Sequence, residues 1–510
     1  MRRRHKILLT LGAVLGVMVV AAGLYHWHLK AVNEAYLAQL VEQGEPMTLA
    51  QVLPPAVPPA ENSAAIYLKA VALLEADTSL LQTNVGRSMR LVATGKALAG
   101  FQLPAVTGYD FTNSWAETSL ALKQNQPALE LLQQLVDHPA LDFHIHYEKG
   151  VGDGFDFNGL NATGLKKSAQ YLSTAVTVDL HNGDTAAAVR KERAMLVLAQ
   201  ALQYQRFIIS ELVAIAIIHI AQGSCWEILQ SPNLADQQLA AMQSDWEQLN
   251  LIQSWQNALA MERVADEINL SQQRADTTGL WHYLGLVKSA RTVMGMADDS
   301  DHLLKKIATT GGIFLWRFWW SYPDELRCLK GYQVLLEASR LAATNVSFHT
   351  ALTNQKAGLD RLQISDLPES FFALMFSDTD FHSMLSQSVA SLSDSINSVQ
   401  TAEALRQMTV AAIALQRFKL ARGHFPSRLA ELIPDYVAVI PVDPVDGRPL
   451  RYHLQTDGNF LLYSVGANGV DDGGNAASAD HANFKEYSWL SFKALDWVWP
   501  QPVNATNPQP

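Results

Sequence analysis

Cysteine is nearly absent: Cys225 and Cys328 are the two in 510 residues. That count excludes a disulfide framework and a CxxC metal knuckle. The two lie on separate predicted helices, so a mutual disulfide is not expected. Basic residues are also short. Lys and Arg number 38 against 49 Asp and Glu, a net charge of −11. No basic footprint for phosphate exists, which argues against a nucleic-acid partner. Also missing are a G-x-S-x-G elbow, an S-x-x-K pair, an H-E-x-x-H helix and a phosphate-binding G-x-x-x-x-G-K-[ST] loop. The Gly150, Gly152, Gly154 run lacks the strand–helix context of a dinucleotide fingerprint. Ser224-Cys225-Trp226 sits on an apolar helix and reads as a buried thiol, not a nucleophile.

What is present begins with Ile7 to Trp27, free of formal charge when His26 is neutral. A helix needs about 20 such residues to span a bilayer. Arg2, Arg3, Arg4 and Lys6 precede it and predict a cytoplasmic N-terminus. Tyr25 and Trp27 stand where an interfacial aromatic belt lies. The length favours an uncleaved anchor over a signal peptide, and no Cys follows it to make a lipoprotein. The expected location is a bacterial inner membrane, single pass, with the bulk periplasmic. Phe207 to Ile220 is too short for a second span and reads as a buried helix. Gly312 to Trp320 (GIFLWRFWW) is expected to pack in the core. The alternative is a surface that dips into the bilayer interface.

The chain divides into a 1–6 tail, a 7–28 anchor, a 29–60 helix with a Pro-rich linker, a 61–397 helical domain, a 398–500 α+β unit and a disordered 501–510 tail. The linker is Val52 to Ala60 (VLPPAVPPA), after which Asn62-Ser63 signals a helix start. Apolar residues at three and four spacings predict helices over Leu120–Leu135, Leu165–Leu180, Ala186–Tyr204, Ile208–Gln230, Gln237–Leu259 and Asp324–Ala343. His181-Asn182-Gly183-Asp184 predicts a tight turn between two antiparallel helices, Gly stopping one and Asp capping the next. No repeat of fixed period is present. Strand signals are scarce until YVAVI, LRYHL and FLLYSV. With the Asp446-Gly447 and Asp457-Gly458 turns, these predict a small antiparallel meander after a long helix. The fold class is therefore mainly α, with a helical-hairpin body and a small C-terminal α+β domain.

That C-terminal stretch carries an ordered series. Thr401–Leu420 is a helix and Gly423-His424-Phe425-Pro426 a turn. Asp443-Pro444-Val445-Asp446-Gly447-Arg448-Pro449-Leu450 follows, then the hairpin turn Asp457-Gly458-Asn459-Phe460. Tyr463-Ser464-Val465-Gly466-Ala467-Asn468-Gly469 leads into an acidic loop. The series resembles the C-terminal domain of the major pseudopilins of type II secretion, over about the last fifth of the chain. The chain departs from that pattern in two ways. It has no prepilin-peptidase site at its apolar start, and its pilin-like helix lies behind a large helical region. The resemblance implies a pilin-like head on a different anchored body, in the manner of an uncharacterised bacterial envelope family, and not a pilus subunit.

The resemblance also implies a structural calcium site. Asn468, Asp471 and Asp472 supply hard oxygen ligands, and Asp496 stands for the family's later aspartate. Without it, the loop is an ordinary acidic turn. A second cluster lies in Asp137 to Gly159, where His144 and His146 share one side of an extended segment, followed by Glu148, Asp153 and Asp156. No fixed ligand spacing supports a metal there, and a polar connector is the plainer reading. The function expected is a membrane-anchored periplasmic scaffold or binding protein without catalysis, whose partners are the membrane and an envelope protein or peptide. The alternative is a metal-dependent envelope hydrolase using His144 and His146.

Overall fold

The computed structural model describes residues 2–75, 89–107, 112–147, 161–275, 316–344, 347–364, 386–477 and 494–503. The helices among them are α1 (Arg2–Glu42), α2 (Leu49–Val52), α3 (Ala64–Glu75), α4 (Trp115–Gln124), α5 (Gln126–Gln134), α6 (Ala162–His181), α7 (Thr185–Tyr204), α8 (Ile208–Leu229), α9 (Asp236–Gln248), α10 (Leu251–Ala275), α11 (Ser321–Ala343), α12 (Phe348–Arg361), α13 (Ser386–Ser393) and α14 (Ile396–Arg422). The strands are β1 (Met89–Ala93), β2 (Lys96–Ala99), β3 (Val106–Thr107), β4 (Thr112–Asn113), β5 (Arg451–Leu454), β6 (Phe460–Ser464), β7 (Trp497–Val498) and β8 (Gln501–Pro502).

The expected anchor and the helix after it form one element. α1 is continuous for 41 residues. Its most apolar window is 0% buried inside the protein, and Val14, Val17 and Leu24 are all more than half exposed. Such a helix is compatible with a membrane anchor or a signal sequence. α8 is also long and apolar, but 67% of its window is buried, as expected of a core helix. Beyond residue 30, α1 docks on the body alongside α11.

The predicted turn at His181–Asp184 is present. Gly183 takes φ 81°, a conformation natural to glycine, and the Asp184 carboxylate caps α7 by accepting from the Ala187 N–H at 3.0 Å. Small residues bring α6 and α7 together over Ala169, Ala188 and Ala194, each fully buried. α8 completes the layer. Its Ser224 hydroxyl donates to Ser173 on α6 at 3.0 Å. Its Gln222 amide donates to the Leu405 carbonyl and the Thr409 hydroxyl on α14. Helical body and C-terminal unit thus share one continuous core, running from Tyr67 to Trp499.

Four expectations need correction. The region 61–397 is not helical throughout. β1 and β2 form an antiparallel hairpin, Met89 opposite Ala99, and β3 pairs with β4. The hairpin hides in an Ala- and Leu-rich run without clean alternation, and β2 finds its other neighbour, β8, in parallel at Gln501–Pro502. The 501–510 tail therefore starts as a strand rather than disordered chain; residues 504–510 lie outside the described set. YVAVI is not a strand. Its Tyr436 and Val437 N–H groups turn back to the Leu432 carbonyl. Pro434 and Pro441 flank it and have no N–H for a ladder. Finally, two predicted helices are each split. α5 begins anew with Pro127 in its first turn, and Leu249 is extended at ψ 127° before the Asn250 side chain caps α10 at Gln253.

Two strands of the predicted meander are present as the β5–β6 hairpin, and its third place is taken by β7 on the other side of β6, all antiparallel. α14 ends at Gly423 in the left-handed conformation, φ 81°, its N–H bonded to the Lys419 carbonyl at 2.7 Å.

Candidate functional site

The C-terminal unit is organised around two buried aspartates, both 0% exposed. Asp443, from the Asp-Pro turn, accepts from the Ser464 hydroxyl (2.8 Å), the Val465 N–H (2.9 Å) and the Val445 N–H (3.0 Å). Burial pushes its carboxyl up and these donors hold it down. Asp496 accepts the N–H groups of Gly474 (2.8 Å) and Asn475 (2.9 Å) on one oxygen, and of Asp472 (3.3 Å) on the other. Burial raises it too, opposed by those three amides. Each carboxylate gathers backbone donors that a loop otherwise leaves unpaired, a use of charge that strengthens the bonds.

Arg451, on β5, lies between the carboxylates. Its guanidinium contacts Asp446 at 2.5 and 3.1 Å, Asp443 at 3.2 Å and Asp471 at 3.5 Å. The Tyr463 hydroxyl donates to Asp471 at 2.8 Å. Asp471 is held low by that tyrosine first and by Arg451 among lesser causes.

Of the four predicted calcium ligands, Asn468, Asp472 and Asp496 are linked by hydrogen bonds, and Asp471 is engaged elsewhere. Asp471 belongs to Tyr463 and Arg451, and Asp496 to three amides. Asp472 accepts from the Asn468 amide at 2.8 Å, and the Asn468 oxygen accepts from Val470 N–H. Calcium takes about six to eight oxygens, and among the described residues no three His, Cys, Asp or Glu side chains converge on a metal position. The cation beside Asp471 is the Arg451 guanidinium. Arg451, Asp443 and Tyr463 were missed as members of this network. Strand alternation was the available signal, since it puts Arg451 on a defined face of β5.

His144 and His146 are both exposed, and His144 takes the left-handed conformation at φ 53° where an extended segment was expected. His144 has 76% of its side chain exposed and lies 3.4 Å from Asp142. Glu148, Asp153 and Asp156 lie outside the described residues.

A cleft of about 310 Å³ opens where α8, α14, the β5–β6 turn and the C-terminal segment meet. Leu229, Pro232, Phe425, Phe460 and Trp499 line it together with Gln230, Ser231, Gln416, Asn459 and Lys419. The Lys419 ammonium sits 4.5 Å from the Phe425 ring centre. The Trp226 indole N–H donates to the Pro500 carbonyl at 2.9 Å, which fixes the wall formed by the C-terminal segment. The volume is at the lower end for small-ligand sites. The lining mixes apolar side chains with three side-chain amides, a hydroxyl and one ammonium.

Comparison with protein-family models, curated proteins and solved structures gives no match for this chain.

Proposed function

We propose that this chain is a single-pass envelope scaffold, its N-terminus cytoplasmic and its body periplasmic, that holds a partner segment in the cleft beneath a pseudopilin-like head. One observation carries the reading. The apolar half of α1 projects free of the protein, while the same helix continues unbroken into a half that is clamped to the body. Glu45, just past α1, is 6% exposed and accepts from Arg263 at 3.0 Å, Gln333 at 3.1 Å and Arg340 at 2.5 and 2.8 Å. An export signal destined for removal gains nothing from being the first half of such a helix. Charge placement supports the orientation, with Arg2, Arg3, Arg4 and Lys6 ahead of the apolar run.

Alkaline extraction of membranes tests the anchor, and a reporter fused after Pro510 tests the topology. Retention in the membrane with periplasmic reporter activity is expected. Release into the soluble fraction, or cytoplasmic activity, refutes the reading. The cleft is tested in intact membranes by a photo-reactive group at position 420, where Leu420 is 42% exposed. An adduct that Phe460→Arg removes supports it; an adduct indifferent to that change, or no adduct, counts against it.

A further inference from the structure

The aromatic turn before α11 lies against the end of the membrane span. Trp316–Trp320 forms a single π-type turn. Trp316 is 0% exposed, but Phe318 and Trp319 are 41% and 38% exposed. The His26 Nδ1–H donates to the Phe318 carbonyl at 2.6 Å. Its ring packs 5.8 Å from Phe318 and 5.4 Å from Tyr322. His26 falls between Tyr25 and Trp27, which are 53% and 69% exposed at the C-terminal limit of the apolar run.

The direction of α11 fixes which end of the body this is. Three rungs join it to α1: Tyr322 against His26, the Lys330 ammonium 5.5 Å from the Tyr36 ring, and Arg340 on Glu45. Residue numbers rise together, so the helices run parallel. At about 1.5 Å per residue, the Glu45 rung stands roughly 28 Å farther from the span than the His26 rung. The turn Trp316–Trp320 is therefore at the membrane end of the body.

We infer that Phe318 and Trp319 form a second membrane contact, seated in the headgroup–acyl boundary beside Tyr25 and Trp27. The occupant of this apolar surface is lipid. Four exposed aromatics lie at one level, where the ring bodies of Trp and Tyr are favoured by the mixed polarity of the interface. Arg317 stands in the same turn at headgroup height, the position at which a cation meets lipid phosphate. The contact makes the anchor a two-point attachment: the span resists extraction, and the turn stops the body from tilting away.

This inference rests on the anchor reading, and the test separates the two. The full chain is reconstituted in phosphatidylethanolamine/phosphatidylglycerol vesicles after single replacement by a dye-labelled cysteine at Val14, Phe318, Trp319 or Val439. Cys225 and Cys328 are buried, and the unsubstituted chain provides the labelling blank. Lipids carrying a quencher near the headgroup, or deep in the acyl chain, are compared. The expected result is loss of fluorescence at 318 and 319 with the shallow quencher, at 14 with the deep one, and at 439 with neither. If 318 and 319 behave like 439 while 14 is quenched, the inference is overturned and the anchor stands. If 14 is not quenched, the anchor reading itself falls. Labelling both 318 and 319 guards against one substitution disturbing the turn.

Discussion

Replacing Glu45 by Gln removes the charge that holds three parts of the chain together while keeping the shape of the side chain. The energetic centre is Arg263, whose side chain is 0% exposed, whereas Arg340 is 44% exposed. An exposed pair contributes about 0.2–1 kcal/mol, so the Arg340 share is small. Stranding a buried charge costs about 3–5 kcal/mol. Arg263 retains the Pro46 carbonyl at 3.1 Å and the Gln333 oxygen at 3.0 Å, which places the loss near the lower figure, about 3 kcal/mol. One decade of equilibrium is about 1.4 kcal/mol, so opening of the α1 tail becomes roughly a hundredfold more frequent. Hydrogen exchange of the full chain in bilayers reads this directly. Amides such as Glu45 N–H, bonded to the Leu40 carbonyl, should exchange about two decades faster in Glu45→Gln. The core amides of α6 to α8 should stay unchanged. A change below about threefold at the α1 tail refutes the clamp. The acid limb provides a check of sign. Hydrogen bonding from Arg340 first, against desolvation and with help from Gln333 and Arg263, lowers the Glu45 carboxyl from 4.5 to about 2. A depressed carboxylate stabilises above its unfolded pKa and loses that contribution as pH falls through the folded one. The tail should therefore loosen between pH 4.5 and about 2, and Glu45→Gln should abolish that window.

Other buried acids run the opposite way. Burial raises Glu211 and Glu262 to about 7, and burial followed by the Glu325 carboxyl raises Glu267 to about 8. Their protonated forms favour the fold, so stability should fall as pH rises from about 5 towards 8. Denaturant midpoints measured across that range should flatten partly in Glu267→Gln, and a midpoint independent of pH refutes the assignment. Asp496→Ala should strip three amides of their acceptor at a cost of about 1–3 kcal/mol. The visible result should be faster proteolysis between Asp471 and Asn475, and an unchanged digestion pattern would falsify the role given to Asp496. Arg451→Met should leave Asp443, Asp446 and Asp471 without their cation and lower the melting temperature. Calcium or chelator should leave the wild-type melting temperature unmoved, and a rise of several degrees with calcium would show that the loop takes a metal after all.

Local signals served the sequence reading well where one residue decides the backbone. Gly183 and Gly423 stop helices by conformation alone, Asp184 starts the next one with a local cap, and the apolar periodicity of α6 to α8 needed no partner to be seen. The misses are of another kind. β1 and β2 carry weak strand preference and are held by a neighbour at residues 501–502, about four hundred positions away. YVAVI has the composition of a strand but two flanking prolines and no ladder to join. The Asn250 cap that divides α9 from α10 is a short-range signal, and it was overridden by the continuous apolar spacing around it. In the acidic loop, the aspartates were visible and their partner was not, because Arg451 reaches them only after the β5–β6 hairpin closes. Glu45 shows the limit most clearly: its partners lie 218 and 295 residues on.

The parallel run of α1 beside α11 has a geometric consequence for encounters at the membrane. A tether lets a domain sweep a hemisphere, diluting every site it carries. With α1 anchored as proposed, a stalk of helix braced by helix would keep the cleft at one distance from the bilayer. A partner tethered in the same bilayer, with its segment at that altitude, would then meet the cleft in two dimensions. One whose segment sits higher or lower does not meet it at all. Stalk length would then select partners before any contact in the cleft is made, and adding or deleting one turn of α1 between residues 30 and 42 would change the selection without touching the cleft.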